Sequence, residues 1–248
     1  MSPRSAGVSA RKHAVASARK RTPGVSSDVR RIGVFGGTFD PIHLGHLRCA
    51  EEAREQLGLD HVLFIPAADP PHKPHRRITP AHHRLAMVKL AAAGNPRFRV
   101  SSIEIERSGP SYSIDTLRSL RLRLGPAVRL TLLLGLDAFR DIGTWKEYRA
   151  LFPLADVAVW GRPGETRNRS RGLLPVAARA DFCYAKNQIT LLHNTGTRIQ
   201  FLTVTALDIS ASDIRTRLQR GRSVRYLLPS AVERYATREG LYRGRAVS

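Results

Sequence analysis

Gly36-Gly37-Thr38-Phe39-Asp40-Pro41-Ile42-His43-Leu44-Gly45-His46 lies between a short apolar run, Ile32-Gly33-Val34-Phe35, and an amphipathic segment, Leu47 to Leu57. That order reads as a buried strand turning into a helix, the place where an α/β sheet binds phosphate. Gly36 and Gly37 let backbone amides approach an anion closely, and the new helix offers unpaired N–H groups and the positive end of its dipole. His43 and His46, three residues apart, share one face of a first helical turn. From there both imidazoles can donate hydrogen bonds to phosphate oxygens.

Outward from this stretch the chain alternates apolar runs with helical patterns. Strands are expected at Ile32–Phe35, His61–Pro66, Phe98–Ser102, Val128–Leu134, Val157–Trp160 and Ile199–Val204. Helices are expected at Leu47–Leu57, Pro80–Ala93, Ile114–Leu124 and Lys146–Leu151, with a last one opened by Pro229 and ended by Gly240. The run Leu130-Thr131-Leu132-Leu133-Leu134 is apolar on both faces, as a parallel strand covered on each side must be. The pattern predicts an α/β fold, a doubly wound parallel sheet with ligands at the strands' carboxyl ends and a small C-terminal helical part at 209–243. Thr79 before Pro80 reads as an N-cap and first helical residue, and Ser210 with Asp213 as a capping box. Residues 164–179, a Gly-, Ser- and Asn-rich stretch carrying several arginines, read as a mobile loop that opens a variable segment at 165–198.

Composition bounds the rest. A chain of 248 residues with 42% hydrophobic content can bury a full core, and one domain over residues 31–243 accounts for it. Cys49 and Cys183 form neither a disulfide framework nor a metal-ligand pair, which fits a reducing cytoplasm, and each reads as a small buried hydrophobe. No apolar run approaches the roughly 18 residues that span a bilayer, so no membrane partner is expected. Net charge is +21. In residues 1–31, Arg4, Arg11, Lys12, Arg19, Lys20, Arg21, Arg30 and Arg31 face Asp28 alone, with almost no bulky apolar residue among them. Residues 1–30 are therefore expected to be a disordered basic tail, for which solvation, targeting and nucleic-acid tethering are all open readings.

The eleven residues from Gly36 to His46 resemble the signature of the nucleotidylyltransferase superfamily, and the opening Gly-Gly-Thr-Phe-Asp-Pro is similar to its nicotinate-nucleotide adenylyltransferase branch. Family-like segments follow in order: Ile65-Pro66, Pro70-Pro71-His72-Lys73-Pro74, Pro110-Ser111-Tyr112-Ser113, Gly135-Leu136-Asp137, Thr144-Trp145, Arg162-Pro163-Gly164, Ile209 to Arg215, and Gly240-Leu241-Tyr242. The resemblance implies adenylyl transfer from ATP to nicotinate mononucleotide, releasing pyrophosphate, as a step toward NAD. No protein nucleophile is needed, because the acceptor phosphate is itself the nucleophile; positioning and charge stabilisation suffice. Catalysis would fall to His46 and His43, His46 being the more critical in the family. ATP would be held by Gly36, Gly37, Thr38, Phe39, His43 and His46, and by Ile209, Ser210, Ser212 and Arg215, whose motif holds the β- and γ-phosphates in the resembled family. His72 and Lys73 would meet the mononucleotide phosphate, Asp137 ribose hydroxyls, Trp145 the pyridine ring and Ser113 the nicotinate carboxylate.

Six histidines, His43, His46, His72, His75, His82 and His83, raise the question of zinc, but their spacing lacks a zinc-binding pattern. Mg²⁺ carried on the ATP phosphates is the expected cofactor, with no protein metal site. The partners implied are ATP and nicotinate mononucleotide, without specific nucleic acid; a homo-oligomer is compatible with this reading. Two other readings are kept. One is a different acceptor, nicotinamide mononucleotide or phosphopantetheine. The other, of a different class, is a nucleic-acid-binding protein driven by its charge, against which stands an aromatic content of 6%.

Overall fold

The structure is a computed structural model that describes residues 30–71, 78–161, 171–205 and 207–243. Its elements are β1 (Arg30–Gly37), α1 (Leu44–Leu57), β2 (His61–Pro66), α2 (Ala81–Ala92), β3 (Phe98–Val100), α3 (Ser113–Leu124), β4 (Val128–Gly135), α4 (Leu136–Arg140), α5 (Tyr148–Leu154), β5 (Asp156–Trp160), β6 (Phe182–Tyr184), β7 (Thr190–His193), β8 (Arg198–Leu202), α6 (Ala211–Gln219) and α7 (Ser230–Arg238). One eight-stranded sheet runs in the order β3-β2-β1-β4-β5-β8-β7-β6. The first six of these pair in parallel, and β7 and β6 add an antiparallel edge.

Strand side chains alternate between two cores, which is why the runs read as apolar on both faces. Ile32 and Val34 of β1, Leu130, Leu132 and Leu134 of β4, and Val157 and Val159 of β5 pack beneath α3, α4 and α5. Phe35, Leu133, Ala158 and Trp160 face the other way, against α1, α2, α6 and α7. Gly33 is required at that second face, since a Cβ there would lie 2.8 Å from Leu59 Cδ1 and 3.0 Å from Leu133 Cδ1. Strand order reverses between β1 and β4, so the carboxyl ends of these neighbours flank the crevice where such sheets bind ligands.

Several sequence expectations need correction. Helix α1 begins at Leu44, a turn earlier than the Leu47 expected from periodicity, with His43 as its cap. Pro80, not Thr79, caps α2: its extended backbone (φ −48°, ψ 142°) delays the helix, and Thr79 is tied up through its main chain. The helix expected at Lys146–Leu151 forms instead at Tyr148–Leu154, after a 3₁₀ turn at Ile142–Thr144 and a left-handed Glu147. Strand β3 stops at Val100 rather than Ser102, and β8 spans Arg198–Leu202 rather than Ile199–Val204. The segment expected as a mobile loop carries 3₁₀ turns at Arg171–Leu173 and Val176–Asp181, then β6 and β7. Cys49 is buried as expected, but Cys183 on the edge strand β6 is exposed. The basic tail and Arg162-Pro163-Gly164 lie outside the described residues. Among the described residues no helix is long and apolar enough to cross a membrane.

Candidate active site

Strand β1 ends at Gly37 and α1 starts seven residues later, so the connecting loop sits over the crevice between β1 and β4. A side chain at Gly36 would meet no protein atom within 4 Å, so packing does not require glycine there. At Gly37 an added Cβ would come within 3.1 Å of the Phe39 ring. Phe39 adopts a left-handed backbone (φ 49°) and is 3% exposed. Its ring packs in the core beside Phe35 and Phe64 and meets His46 edge-on at 5.2 Å.

The two histidines form one unit. Their rings stack 3.6 Å apart at 27°, and the His43 main-chain N–H donates to His46 Nδ1 at 3.2 Å. With Nδ1 accepting, a neutral His46 carries its proton on Nε2, which is thereby a donor. Edge contacts from Phe35 and Phe39 fix the His46 ring. His43 is 7% exposed, its Nδ1 is buried without a well-formed hydrogen bond, and burial pushes its pKa down to about 4. It is thus neutral at pH 7.

A cavity of about 590 Å³ opens beside this pair. Its walls are His43, Gly45 and His46 from the β1–α1 side, Gly135, Leu136 and Asp137 after β4, Trp160 and Gly161 after β5, and Leu207, Ile209, Ser210 and Ala211 before α6. Residues of both motifs singled out in the sequence thus line one cavity. Three tethers bring the second half in. Glu52 of α1 accepts from the Thr205 N–H at 2.6 Å, Gln56 of α1 donates to the Thr203 carbonyl at 2.8 Å, and Arg215 donates to the Asp40 carbonyl at 2.6 Å. Ser210 caps α6 by accepting from the Asp213 N–H at 3.1 Å, while Asp213's carboxylate takes Arg217 at 2.7 Å. Ser212 is exposed at the start of α6, outside the cavity wall.

The residues assigned to the mononucleotide divide. Ser113, at the start of α3, and Trp145 line a separate small cleft of about 50 Å³ with Pro71, Ser111, Tyr112 and Lys146. Asp137 instead joins the histidines and Ser210 in the larger cavity. His72 and Lys73 lie outside the described residues. Missed from sequence were Trp160, whose strand ends in Trp-Gly at the sheet's carboxyl edge, and Lys146, next to Trp145. Lys146 Nζ lies 4.8 Å over the Tyr112 ring and 3.1 Å from Asp115. Asp40 was also missed as a structural hub. It is 6% exposed and accepts from the Tyr242 hydroxyl at 2.7 Å and the Thr79 N–H at 3.3 Å, which ties the closing Gly-Leu-Tyr motif to the opening loop. Burial, then the neighbouring Asp40 charge, raises the Tyr242 pKa, so this hydroxyl stays a donor.

A sequence profile of the cytidylyltransferase-like family matches residues 34–217. The probable nicotinate-nucleotide adenylyltransferase of Citrifermentans bemidjiense is 50% identical over 212 residues, covering 86% of this chain and 98% of its own. The chain belongs to the nicotinate-nucleotide adenylyltransferase family. A second member, from Geotalea daltonii, is 47% identical over the same shares of each chain. In fold the chain is similar to the Plasmodium falciparum nicotinic acid mononucleotide adenylyltransferase complexed with NaAD, with a TM-score of 0.64 at 17% identity over 86% of this chain and 97% of that one. Membership in this family accounts for the order of the segments, in which residues far apart in sequence build one cavity wall.

Proposed function

We propose that this chain transfers the adenylyl group of ATP to nicotinate mononucleotide, giving nicotinate adenine dinucleotide and pyrophosphate in NAD biosynthesis. The observation that carries the reading is the stacked His43–His46 pair, whose donor-fixed His46 faces a cavity closed on its far side by the capped start of α6. ATP occupies this cavity, its triphosphate between the glycine loop with the α1 start and the Ser210–Arg215 segment, where main-chain N–H groups and Arg215 offset its charge. Asp137 accepts from a ribose hydroxyl, and Trp160 forms an apolar wall for the base.

The mononucleotide enters from the cleft of Ser113, Trp145 and Lys146, so that its pyridine ring lies on Trp145 and its carboxylate meets the Ser113 hydroxyl and α3 amides. His72 and Lys73 are proposed for its phosphate. That phosphate attacks the α-phosphorus in line, and pyrophosphate leaves. The His46 Nε2–H, joined by His43, stabilises charge gathering on the transferring group. No covalent enzyme intermediate is needed.

Among the described residues no group of three or more His, Cys, Asp or Glu could hold a metal ion. Both Asp40 carboxylate oxygens are already engaged by Tyr242 and Thr79. Mg²⁺ is accordingly proposed to arrive on the ATP phosphates as part of the substrate, keeping most of its waters. Pyrophosphate release with nicotinate mononucleotide, nicotinamide mononucleotide and phosphopantetheine in turn tests the reading. Turnover is expected to be fastest with the first; equal or faster turnover with either of the others overturns the choice of acceptor.

A further inference from the structure

Arg84 lies in the first turn of α2, away from both clefts, and is 1% exposed. Burying a guanidinium is costly unless its donors are matched. Here the matches are three main-chain carbonyls: Nε donates to Thr79 at 2.7 Å, Nη1 to Thr38 at 2.8 Å and Nη2 to Ala68 at 3.0 Å.

These acceptors come from three separate segments. Thr38 follows Gly37 in the phosphate loop. Ala68 lies two residues past β2, and its own N–H donates at 2.9 Å to the hydroxyl of Ser111, which lines the small cleft. Thr79 precedes α2 and is held to the phosphate loop a second time, its N–H donating to Asp40 Oδ2 at 3.3 Å. One rigid, planar fork thus bonds the loop at the ATP cavity to the segment that supports the acceptor cleft. Lysine could not reproduce this, because a single ammonium cannot reach three carbonyls converging from different sides of a planar group. Filling the same volume with apolar atoms would avoid the desolvation cost, so a cation here is explained better by the geometry it fixes than by the packing it provides.

We propose that Arg84 is a positioning residue that sets the spacing between the ATP cavity and the acceptor cleft, holding the acceptor phosphate in line with the α-phosphorus. The proposal rests on the adenylyl-transfer reading above. In-line transfer tolerates little misplacement, on the order of a hundredfold in rate for 1 Å, whereas Arg84 lines neither cavity and reaches the ATP side through the Thr38 carbonyl and the acceptor side through that of Ala68.

The test compares Arg84→Lys and Arg84→Met with the unaltered protein. Each is titrated with a non-hydrolysable ATP analogue alone, with nicotinate mononucleotide alone, and with nicotinate adenine dinucleotide, which spans both pockets; kcat and the thermal midpoint are measured alongside. In Arg84→Lys, affinity for each single-pocket ligand is expected to stay within about threefold. Dinucleotide affinity is expected to fall by roughly tenfold and kcat by roughly a hundredfold. If Arg84→Met does not fold, the lysine variant decides. Parallel loss of all three affinities with the midpoint would reduce Arg84 to a structural residue, and unchanged dinucleotide affinity or kcat would refute the coupling. An unaltered protein that makes no dinucleotide would overturn the adenylyl-transfer reading itself.

Discussion

Lowering the pH should destabilise this protein through His43 in a way that a single substitution removes. Burial lowers its pKa from 6.5 to about 4, the residue being 7% exposed in the cavity wall. The unfolded chain therefore binds a proton between about pH 6.5 and 4 that the folded chain refuses. Stability from the neutral ring is complete above 6.5 and is lost as pH falls toward the folded value. At pH 5 the loss is ~2 kcal/mol, approaching ~3 kcal/mol near pH 4, at 1.36 kcal/mol per pKa unit. The assay is urea unfolding of the unaltered protein and of His43→Asn at pH 7.5, 6 and 5. Carboxylates and the other histidines titrate in both proteins, so the difference between the two curves isolates His43. That difference should shift by ~2 kcal/mol in favour of the variant between pH 7.5 and 5. Parallel curves would mean that the stacked ring is protonated as readily in the folded chain as in the unfolded one, and would refute the desolvation argument. A triphosphate beside the ring should favour its charged form, so saturating Mg-ATP should blunt the acid loss.

His46→Ala removes the donor fixed by the His43 main chain, and kcat should fall by roughly a hundred- to a thousandfold with the thermal midpoint nearly unchanged; a near-normal rate would take His46 out of the chemistry. Gly36→Ala should leave unfolding within about 0.5 kcal/mol, because its new methyl meets open space, yet raise the KM for ATP. Gly33→Ala should do the reverse, costing about 1–3 kcal/mol against Leu59 and Leu133 with the KM for ATP unmoved; the opposite assignment would overturn the distinction between the two glycines. Trp145→Ala should raise the KM for the mononucleotide by roughly tenfold and that for ATP much less, and equal rises would indicate a packing defect instead.

The parallel strands were legible because burial on both faces forces apolar side chains into consecutive positions, and β1, β2, β4 and β5 carry such runs. Strands β6 and β7 were not. Three or four residues at an antiparallel edge hold too little pattern to read, and they exist because β8 offers β7 a free row of main-chain groups and β7 then offers β6 another. Arg84 was likewise invisible, since an arginine in a helix ordinarily reads as a solvated residue and only the converging carbonyls of Thr38, Ala68 and Thr79 make it a buried one. Cys183 erred the other way, exposed because its strand is the sheet's last.

From the sequence alone came the glycine loop after β1, the histidine pair, the parallel core and the kinship that orders the later motifs, all of them carried by short stretches of chain. The tertiary structure settled which of those motifs meet. It set Asp137 and Ser210 across one cavity from His43 and His46, grouped Ser113 with Trp145 in another, and tied Tyr242 to Asp40 across 202 positions. The reason is that spacing fixes neighbours along a helix or strand, whereas contact between distant loops depends on strand order, and strand order is chosen by the packing of the whole sheet.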